Sequence, residues 1–245
     1  MTPERLRFLL AVLAAAAVVA LVRRWSRPLA THLGKLDRFL LPALGLAALG
    51  IFAKIAGEVR EEETSALDRA ISLAVHRLDS PVMDLAMRAF TALGSFPVIV
   101  AVVVAASAWR IRHHDKPGAA MLIGVTGVTE LLNLALKETF QRARPSLFTE
   151  IATLHSYSFP SGHAMASTAV YGAIAVLAGK AYPDRRRAFG VGIAVLVLLI
   201  GFSRIYLGVH WFTDVIAGII AGLFVLLAGA WALEATERRV RAGSK

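Results

Sequence analysis

Three short clusters in the second half of the chain combine residue types that could hold and transfer an anionic group. In chain order they are Lys137-x6-Arg144-Pro145, Pro160-Ser161-Gly162-His163 and Ser203-Arg204-x5-His210-x3-Asp214. They supply cations, histidines and a carboxylate beside apolar stretches long enough to span a bilayer. Charge is energetically expensive in such places, which favours chemistry as the reason for it. The combination suits the binding of a phosphate and its transfer to a histidine.

Lys137 and Arg144 are interpreted as a phosphate-binding pair. The residue before a proline avoids helical geometry, so the helix that carries Lys137 should end before Arg144, which would then reach back from a loop. A guanidinium offers a planar fork for two phosphate oxygens, and an ammonium offers a compact point charge. Alternatively, both bases snorkel to lipid headgroups, which these two residues alone do not exclude.

The second cluster opens a predicted helix. The first turn of a helix has free N–H groups and a partial positive charge, which together attract anions. Ser161 can cap the helix or donate a hydrogen bond, Gly162 lets the backbone approach an oxyanion, and His163 lies within reach of a bound phosphate. The alternative is an ordinary helix start with an interfacial histidine.

The third cluster places Arg204 directly after an apolar run, Val191–Phe202. An unpaired arginine costs roughly 2.5–3.5 kcal/mol at the centre of a membrane, so a partner is expected even near the end of a span. His210 and Asp214 are four residues apart and would be neighbours on one helix face. A carboxylate bonded to one ring nitrogen fixes the tautomer and leaves the other nitrogen free to attack. The alternative is an ordinary ion pair at a loop.

The composition is that of an all-α, polytopic membrane protein with a helical bundle. The chain has 245 residues, is 57% hydrophobic and has a mean hydropathy of +0.62. It contains no cysteine, which excludes disulfides and thiol chemistry. The net charge of +10 comes from bases in short loops, as the positive-inside rule predicts, and basic patches interleaved with aromatic residues are missing. Nucleic acid is therefore not an expected partner.

Seven apolar segments are predicted, which give a six-helix core and an additional N-terminal hydrophobic helix. They are Leu6–Val22, Phe39–Gly57, Leu93–Trp109, Ala119–Leu136, Ser161–Ala181, Ala188–Tyr206 and Asp214–Leu233. The predicted division is an N-terminal segment and basic loop over 1–38, a membrane domain over 39–233 and a basic cytoplasmic tail over 234–245. Ser65–Leu78 has apolar residues at helical spacing and is predicted to lie as an amphipathic helix in the outer interface.

Charge in the loops predicts the orientation. The basic stretches Arg110–Lys116 and Lys180–Arg187 and the basic C-terminus lie on one side, which is then cytoplasmic. The acidic stretch Glu58–Asp84 and all three clusters fall on the opposite, extracytoplasmic side. Leu6–Val22 is interpreted as an extra span or anchor; a signal peptide is the alternative, but a small-residue cleavage site is not evident.

The remaining polar residues carry weaker predictions. Glu130 and Asn133 could share the helix face of Lys137 and help to hold it, or they could serve packing. His155 could line the mouth of the site or be solvated. No role is predicted for the other histidines, which are His32, His76, His113 and His114.

The three clusters, in this order, resemble the signature of the type 2 phosphatidic acid phosphatase superfamily, and every signature position is filled. The superfamily includes lipid phosphate phosphatases, bacterial undecaprenyl pyrophosphate phosphatases and soluble vanadium haloperoxidases. The resemblance covers Lys137–Asp214, and the six segments from Phe39 onward match the family's membrane core. The segment Leu6–Val22 departs from that pattern.

The resemblance implies a mechanism without metal or other cofactor. His210 would attack phosphorus to form a phosphohistidine, Asp214 would orient it, and His163 would protonate the leaving oxygen and then assist water. The residues expected to hold the phosphoryl oxygens are Lys137, Arg144, Ser161, Gly162, Ser203 and Arg204.

The expected function is hydrolysis of a membrane lipid phosphate or diphosphate by an integral protein of the bacterial plasma membrane, with the lipid tail left in the bilayer. Undecaprenyl diphosphate is the first choice of substrate; phosphatidylglycerophosphate, phosphatidate and diacylglycerol diphosphate stay open, as does the oligomeric state. One alternative is a lipid phosphotransferase with the same site. Another is a transporter or lipid-binding protein whose charges only hold an anion, although polar residues at span ends favour an interfacial enzyme.

Overall fold

The computed structural model describes residues 37–147 and 156–243, and every regular element within these ranges is a helix. The α-helices are α1 (Asp37–Arg60), α2 (Ser65–His76), α3 (Pro81–Leu93), α4 (Phe96–Arg112), α5 (Lys116–Phe140), α6 (Gly162–Ala181), α7 (Arg186–Tyr206) and α8 (Phe212–Gly243), with a 3₁₀ helix at Pro183–Arg185. The predicted all-α fold class is confirmed.

Six of the described helices correspond to the six apolar segments predicted from Phe39 onward. Five of them are long and apolar enough to cross a bilayer, namely α1, α5, α6, α7 with its preceding 3₁₀ turn, and α8. The pair α3 and α4 passes the same test together but is bent by 49° between the two helices. The predicted segment Leu93–Trp109 corresponds to α4, which makes a sixth span only together with α3.

Helix α3 lies between two predicted elements and was not itself predicted. The hydroxyl of Ser80 accepts the backbone N–H of Met83 at 3.3 Å, and Pro81 occupies the first helical position. Serine followed by proline is a typical helix start. Hydropathy misses this helix because charged residues interrupt its apolar positions. Gly94 ends it, and the chain turns there into α4.

Helix α6 is the most buried of the five spans, although its hydropathy is the lowest. The most apolar stretch of α6 has a mean hydropathy of 1.3, and 61% of it is buried. The corresponding stretch of α7 has a mean hydropathy of 2.2, but only 33% of it is buried. Two glycines of α8 allow the helices to approach closely. A Cβ atom on Gly218 would lie 2.6 Å from the carbonyl oxygen of Ser161, and a Cβ atom on Gly222 would overlap with the carbonyl oxygen of Met165. Small residues let helix backbones approach. The start of α6 therefore packs directly on the start of α8.

Helix α2 confirms the helix predicted over Ser65–Leu78 and shows which face is inward. Asp68 and Ser72 are buried on that face, and Ile71 and Val75 pack against the core at the same helical spacing. Leu67 and Leu73 lie on the exposed face together with Arg69. The inward stripe is thus half polar, and its carboxylate enters the site described below.

Some predictions fall on residues that the structure does not describe. Leu6–Val22, His32 and His155 lie outside the described ranges. The described residues from Leu41 onward form one compact unit. Helix α8 continues to Gly243, so most of the predicted tail prolongs this helix. The predicted domain boundaries themselves stay predictions.

Candidate active site

The three predicted clusters meet at one end of the helix bundle. Lys137 lies in the last turn of α5, and Arg204 lies in the last turn of α7. Asp214 lies in the first turn of α8, and Ser161 is the residue that precedes α6. The backbone N–H of Ser161 donates to the carbonyl oxygen of Asp214 at 2.9 Å, which joins the second cluster to the third directly.

His210 is buried, with its Nδ1 directed at a carboxylate and a hydroxyl. Nδ1 lies 3.5 Å from Oδ2 of Asp214 and 3.4 Å from Oγ of Ser158. The hydroxyl of Ser158 donates to the same Oδ2, and the backbone N–H of Trp211 donates to it at 2.9 Å. Because the Ser158 proton goes to the carboxylate, its oxygen can act only as an acceptor toward the ring. Both neighbours of Nδ1 are therefore acceptors.

This arrangement assigns the ring proton of His210 to Nδ1 and leaves a lone pair on Nε2. The group that faces Nε2 is the guanidinium of Arg144, whose Nη1 lies 3.4 Å away. A guanidinium can only donate, so Nε2 must be the acceptor. A neutral imidazole with a free, oriented Nε2 is a nitrogen nucleophile.

Burial keeps this imidazole neutral. The pKa of His210 falls to about 3, chiefly because burial removes solvent from the ring; Asp214 opposes the shift, and the charges of Arg204 and Arg144 add to it. Burial also lowers the pKa of Arg144, but a guanidinium stays protonated at neutral pH. At pH 7 the site therefore combines a neutral imidazole with fixed positive charge.

Arg144 reaches back from the loop after α5, as the following proline predicts. Its Nε donates to the carbonyl oxygen of Ser156 at 2.8 Å, and its Nη1 donates to that of Val209 at 2.6 Å. Lys137 is 9% exposed and likewise donates to a carbonyl oxygen, that of Tyr157. Neutral carbonyls hold these cations in place without cancelling their charge, so the charge stays available to an anion.

Two further polar groups near this site are buried and have unused hydrogen-bonding capacity. Arg204 is 8% exposed and donates from Nη1 to the hydroxyl of Thr91 on α3, while its Nε has no partner among the described residues. The hydroxyl of Ser161 has none there either, so it does not cap α6. Buried polar groups without partners are unfavourable in native proteins. An anion that accepted these hydrogen bonds would relieve both.

Gly162 and Ser203 lie beside the cations Lys137, Arg144 and Arg204, which are called the cradle below, but they make different contacts. A Cβ on Gly162 would lie 2.8 Å from Nδ2 of Asn133, so the amide of this α5 residue lies against the start of α6. Oδ1 of Asn133 is buried without a partner among the described residues. Ser203 donates its hydroxyl to the carbonyl oxygen of Ile200 at 2.6 Å and is thereby held by its own helix.

His163 lies partly buried at the start of α6, beside the break between α3 and α4. A Cβ on Gly94 would lie 3.2 Å from Cδ2 of His163. The ring of His163 interacts electrostatically with His210 and with three cations of the cradle, which are Arg204, Arg144 and Lys137. The fold therefore brings both histidines to the same cluster of positive charge.

Several residues of the site were not predicted from the sequence: Thr91, Ser158, Arg142, Asp68 and Thr213. Ser158 and Arg142 lie close in sequence to the predicted clusters, so polar residues beside the clusters were an available signal. Thr91 and Asp68 lie on α3 and α2, where no spacing relates them to the clusters. His113 and His114 lie at the far end of α4, away from the site.

Comparison with known proteins assigns the family. The family model of the PAP2 superfamily matches residues 118–238. Phosphatidylglycerophosphatase B of Bacillus subtilis is 32% identical over 183 residues, which cover 73% of this chain and 90% of the relative. The chain belongs to the PAP2 superfamily. Its family membership agrees with the resemblance seen in the three clusters.

Other relatives and solved structures agree with this assignment. Undecaprenyl-diphosphatase BcrC of B. subtilis is 25% identical over 62% of this chain and 77% of the relative. The crystal structure of the transmembrane PAP2 type phosphatidylglycerolphosphate phosphatase of B. subtilis has a TM-score of 0.72 at 28% identity, over 80% of this chain and 96% of that one. LpxE of Aquifex aeolicus, with a TM-score of 0.56 at 23% identity over 67% of this chain and 94% of that one, shares the fold. The chain is an integral membrane lipid phosphatase of this metal-independent family.

Proposed function

We propose that this chain hydrolyses a lipid phosphate or diphosphate through a phosphohistidine on His210, at the extracytoplasmic face of the membrane. The observation that carries the proposal is which groups surround the two nitrogens of the His210 ring. Acceptors face Nδ1, and a cation faces Nε2, where the phosphorus of a bound phosphate would lie. Such a ring is oriented and deprotonated at the atom that attacks.

In the first step, Nε2 of His210 attacks phosphorus, an N–P bond forms, and the P–O bond to the lipid breaks. His163, which enters this step protonated, gives that proton to the departing oxygen, so the lipid leaves as a neutral hydroxyl or, from a diphosphate, as the monophosphate. In the second step, water attacks the phosphohistidine and gives a proton to His163, and the N–P bond breaks. Asp214 holds the ring during both steps. General acid–base help of this kind is typically worth about 10²–10⁴ in rate.

The cations and the helix start would hold the three phosphoryl oxygens. Phosphoryl transfer spreads charge over these oxygens, so preorganised donors stabilise the transition state. Arg144 and Lys137 are fixed by carbonyls and keep their charge, and Arg204 and Ser161 have unused capacity. Gly162 would admit an oxyanion to the first turn of α6. Ser203 would join the cradle only if its hydroxyl rotated away from Ile200.

The proposed substrates share a phosphate on a lipid anchor. The matched relatives are named for phosphatidylglycerophosphate, undecaprenyl diphosphate and lipid A. The donors of the cradle lie together and are suited to bind the phosphate headgroup of a lipid. We therefore propose a lipid phosphate or diphosphate of the bacterial plasma membrane, with undecaprenyl diphosphate and phosphatidylglycerophosphate as the first two substrates to test.

The proposed sidedness rests on the loop charges. Basic residues concentrate in the α4–α5 and α6–α7 connections and at the end of α8, which all lie opposite the site. The positive-inside rule assigns that end to the cytoplasm. Intact spheroplasts should therefore hydrolyse a membrane-impermeant, short-chain lipid phosphate as fast as lysed ones. Activity that appears only after lysis would reverse the orientation.

The deciding experiment measures phosphate release by purified protein in detergent across a small lipid panel, with and without EDTA. Brief incubation with a ³²P-labelled lipid, followed by an alkaline quench, should trap acid-labile label on the protein and none on a His210→Ala variant. Label on the variant would contradict the proposed nucleophile. The phosphotransferase alternative predicts a phosphorylated acceptor lipid in place of free phosphate.

A further inference from the structure

Arg142 bridges two buried carboxylates, one of which belongs to the proposed catalytic pair. Its Nη1 donates to Oδ1 of Asp214 at 2.6 Å, and its Nη2 donates to Oδ2 of Asp68 at 2.7 Å. Both carboxylates are fully buried, and 14% of the Arg142 side chain is exposed. Helix α2, which carries Asp68, is thereby connected to the residue that orients His210.

Asp68 also fixes the backbone next to Asp214. Its Oδ1 accepts the backbone N–H of Thr213 at 2.9 Å, and its Oδ2 accepts the Thr213 hydroxyl at 2.6 Å. That hydroxyl in turn accepts from Nη1 of Arg142 at 2.8 Å. On the other side, the guanidinium lies over the ring of Trp211, 5.8 Å from its centroid. The first turn of α8 is therefore held by a closed set of charged and polar contacts.

The charges in this set explain why it must be complete. Arg142 is a single cation between two buried anions, Asp68 and Asp214, so the three side chains carry one net negative charge. Removal of the guanidinium would leave two buried carboxylates in the same place with no cation between them, a strongly unfavourable arrangement. Removal of the Asp68 charge as well would restore one net negative charge.

We propose that Arg142 and Asp68 are positioning residues that act on His210 through Asp214, so that helix α2 forms part of the active site. This inference rests on the proposed roles of His210 and Asp214 as nucleophile and orienting carboxylate. Arg142 fixes the orientation of the Asp214 carboxylate and partly compensates its negative charge. Asp68 fixes Arg142 and the first turn of α8.

The pH dependence of the proposed nucleophile is set by charged groups from several elements. Those that interact electrostatically with the His210 ring or with Asp214 are Arg142 and Arg144 from the loop after α5, Lys137 from α5, His163 from α6, Arg204 from α7 and Asp214 from α8. Asp68 of α2 enters through Arg142. Loss of Arg142 makes the surroundings of His210 and Asp214 more negative, so these two side chains together bind a proton more readily. Loss of Asp68 has the opposite effect.

The test compares Arg142→Gln with the double variant Arg142→Gln/Asp68→Asn. We expect kcat of Arg142→Gln to fall by about 10²-fold with little change in KM, because misplacement of an attacking group acts mainly on the chemical step. The acid limb of its kcat/KM profile should move to higher pH. In the double variant the limb should return toward that of the unmodified protein and kcat should recover, since the charge balance is restored. A purely structural ion pair predicts variants that lose thermal stability but keep kcat, with an acid limb that stays in place, and this result would overturn the proposal.

Controls separate positioning from folding and from the proposed function. Arg142→Lys should keep more activity than Arg142→Gln, and Arg69→Gln, on the exposed face of α2, should change neither kcat nor the profile.

If Arg142→Gln does not fold in detergent, Asp68→Asn carries the test: kcat should fall severalfold at unchanged KM, and an unchanged kcat overturns the proposal. Should His210→Ala remain active, the proposed function fails; should only the Arg142 and Asp68 variants behave normally, this inference alone fails.

Discussion

The two sides of the His210 ring are built differently. On the Nδ1 side, Oδ1 of Asp214 accepts from Arg142, and Oδ2 accepts from the hydroxyl of Ser158 and from a backbone N–H. On the Nε2 side, the cations bond to neutral oxygens, as Arg144 does with three backbone carbonyls, and Nε of Arg204 has no partner in the described part of the chain. One side is closed and nearly balanced in charge, whereas the other is open in hydrogen bonding and positive.

This difference assigns separate tasks to the two sides. Groups with all their hydrogen bonds made are held in one geometry, which is what the orientation of a nucleophile requires. Donors with spare capacity and uncompensated charge are suited to an anion, because they gain a partner only when it binds. Substitutions on the Nδ1 side should therefore lower kcat and leave anion affinity unchanged. Substitutions on the Nε2 side should weaken anion binding as well.

The largest expected effect is at His210, which stands between the two sides. His210→Asn should lower kcat by at least about 10⁴-fold, because the proposed nucleophile is lost, while inorganic phosphate should still raise the melting temperature of the protein in detergent. Phosphate release and thermal unfolding measure the two effects, with the exposed His113→Asn as the control. Activity close to that of the unmodified protein would remove the basis of the comparison.

Arg204 tests the open side. Arg204→Lys keeps the charge but loses the planar fork, and we expect a loss of about 10²–10³ in kcat, the range found when one donor to a developing charge is removed. Competitive inhibition by inorganic phosphate should weaken in parallel. Arg112→Lys, an exposed arginine at the opposite end of the bundle, is the matched control. A loss of turnover without weaker phosphate inhibition would place Arg204 with the orienting groups instead.

The sequence alone singles out the cations of the open side, because they lie at or just beyond the ends of apolar spans. Lys137, Arg144 and Arg204 stand out, since charge is rare beside such runs. Asp68 does not stand out: it follows three exposed glutamates and precedes an exposed arginine, so it reads as a solvated charge. Only packing of α2 against α7 and α8 turns it inward, and that packing depends on contacts between segments distant in sequence.

The break between α3 and α4 was also beyond the sequence pattern. An apolar run of suitable length predicts a span, and α3 and α4 are together long and apolar enough for one. That the chain turns at Gly94 depends on neighbours, because a Cβ there would lie 2.6 Å from Ile200 and 3.2 Å from His163. Hydropathy reports how apolar a segment is and contains no information about which helix packs against its end.

A smaller effect is expected from pH. An unperturbed imidazole has a pKa near 6.5, so at pH 5 only about 3% of it is neutral and a rate that depends on it falls by roughly 30-fold. Burial lowers the pKa of His210 to about 3, so the ring is still neutral at pH 5. We expect kcat/KM at pH 5 to lie within about threefold of its value at pH 7, after correction for ionisation of the substrate phosphate, whose second pKa is about 6. A fall that follows a pKa near 6.5 would show that the ring is solvated.

The smallest expected effects come from two serines that lie two residues apart and serve opposite sides of the ring. The hydroxyl of Ser158 donates to Asp214, and that of Ser156 accepts from Nη2 of Arg144 at 3.0 Å. One hydrogen bond is worth about 1 kcal/mol, or roughly fivefold in rate. Ser158→Ala should therefore lower kcat by about fivefold at unchanged phosphate inhibition, because the N–H of Trp211 still holds the carboxylate. Ser156→Ala should instead raise the inhibition constant of phosphate, with a smaller change in kcat. If the two variants gave the same pattern, orientation and anion binding would not be divided between the two ring nitrogens.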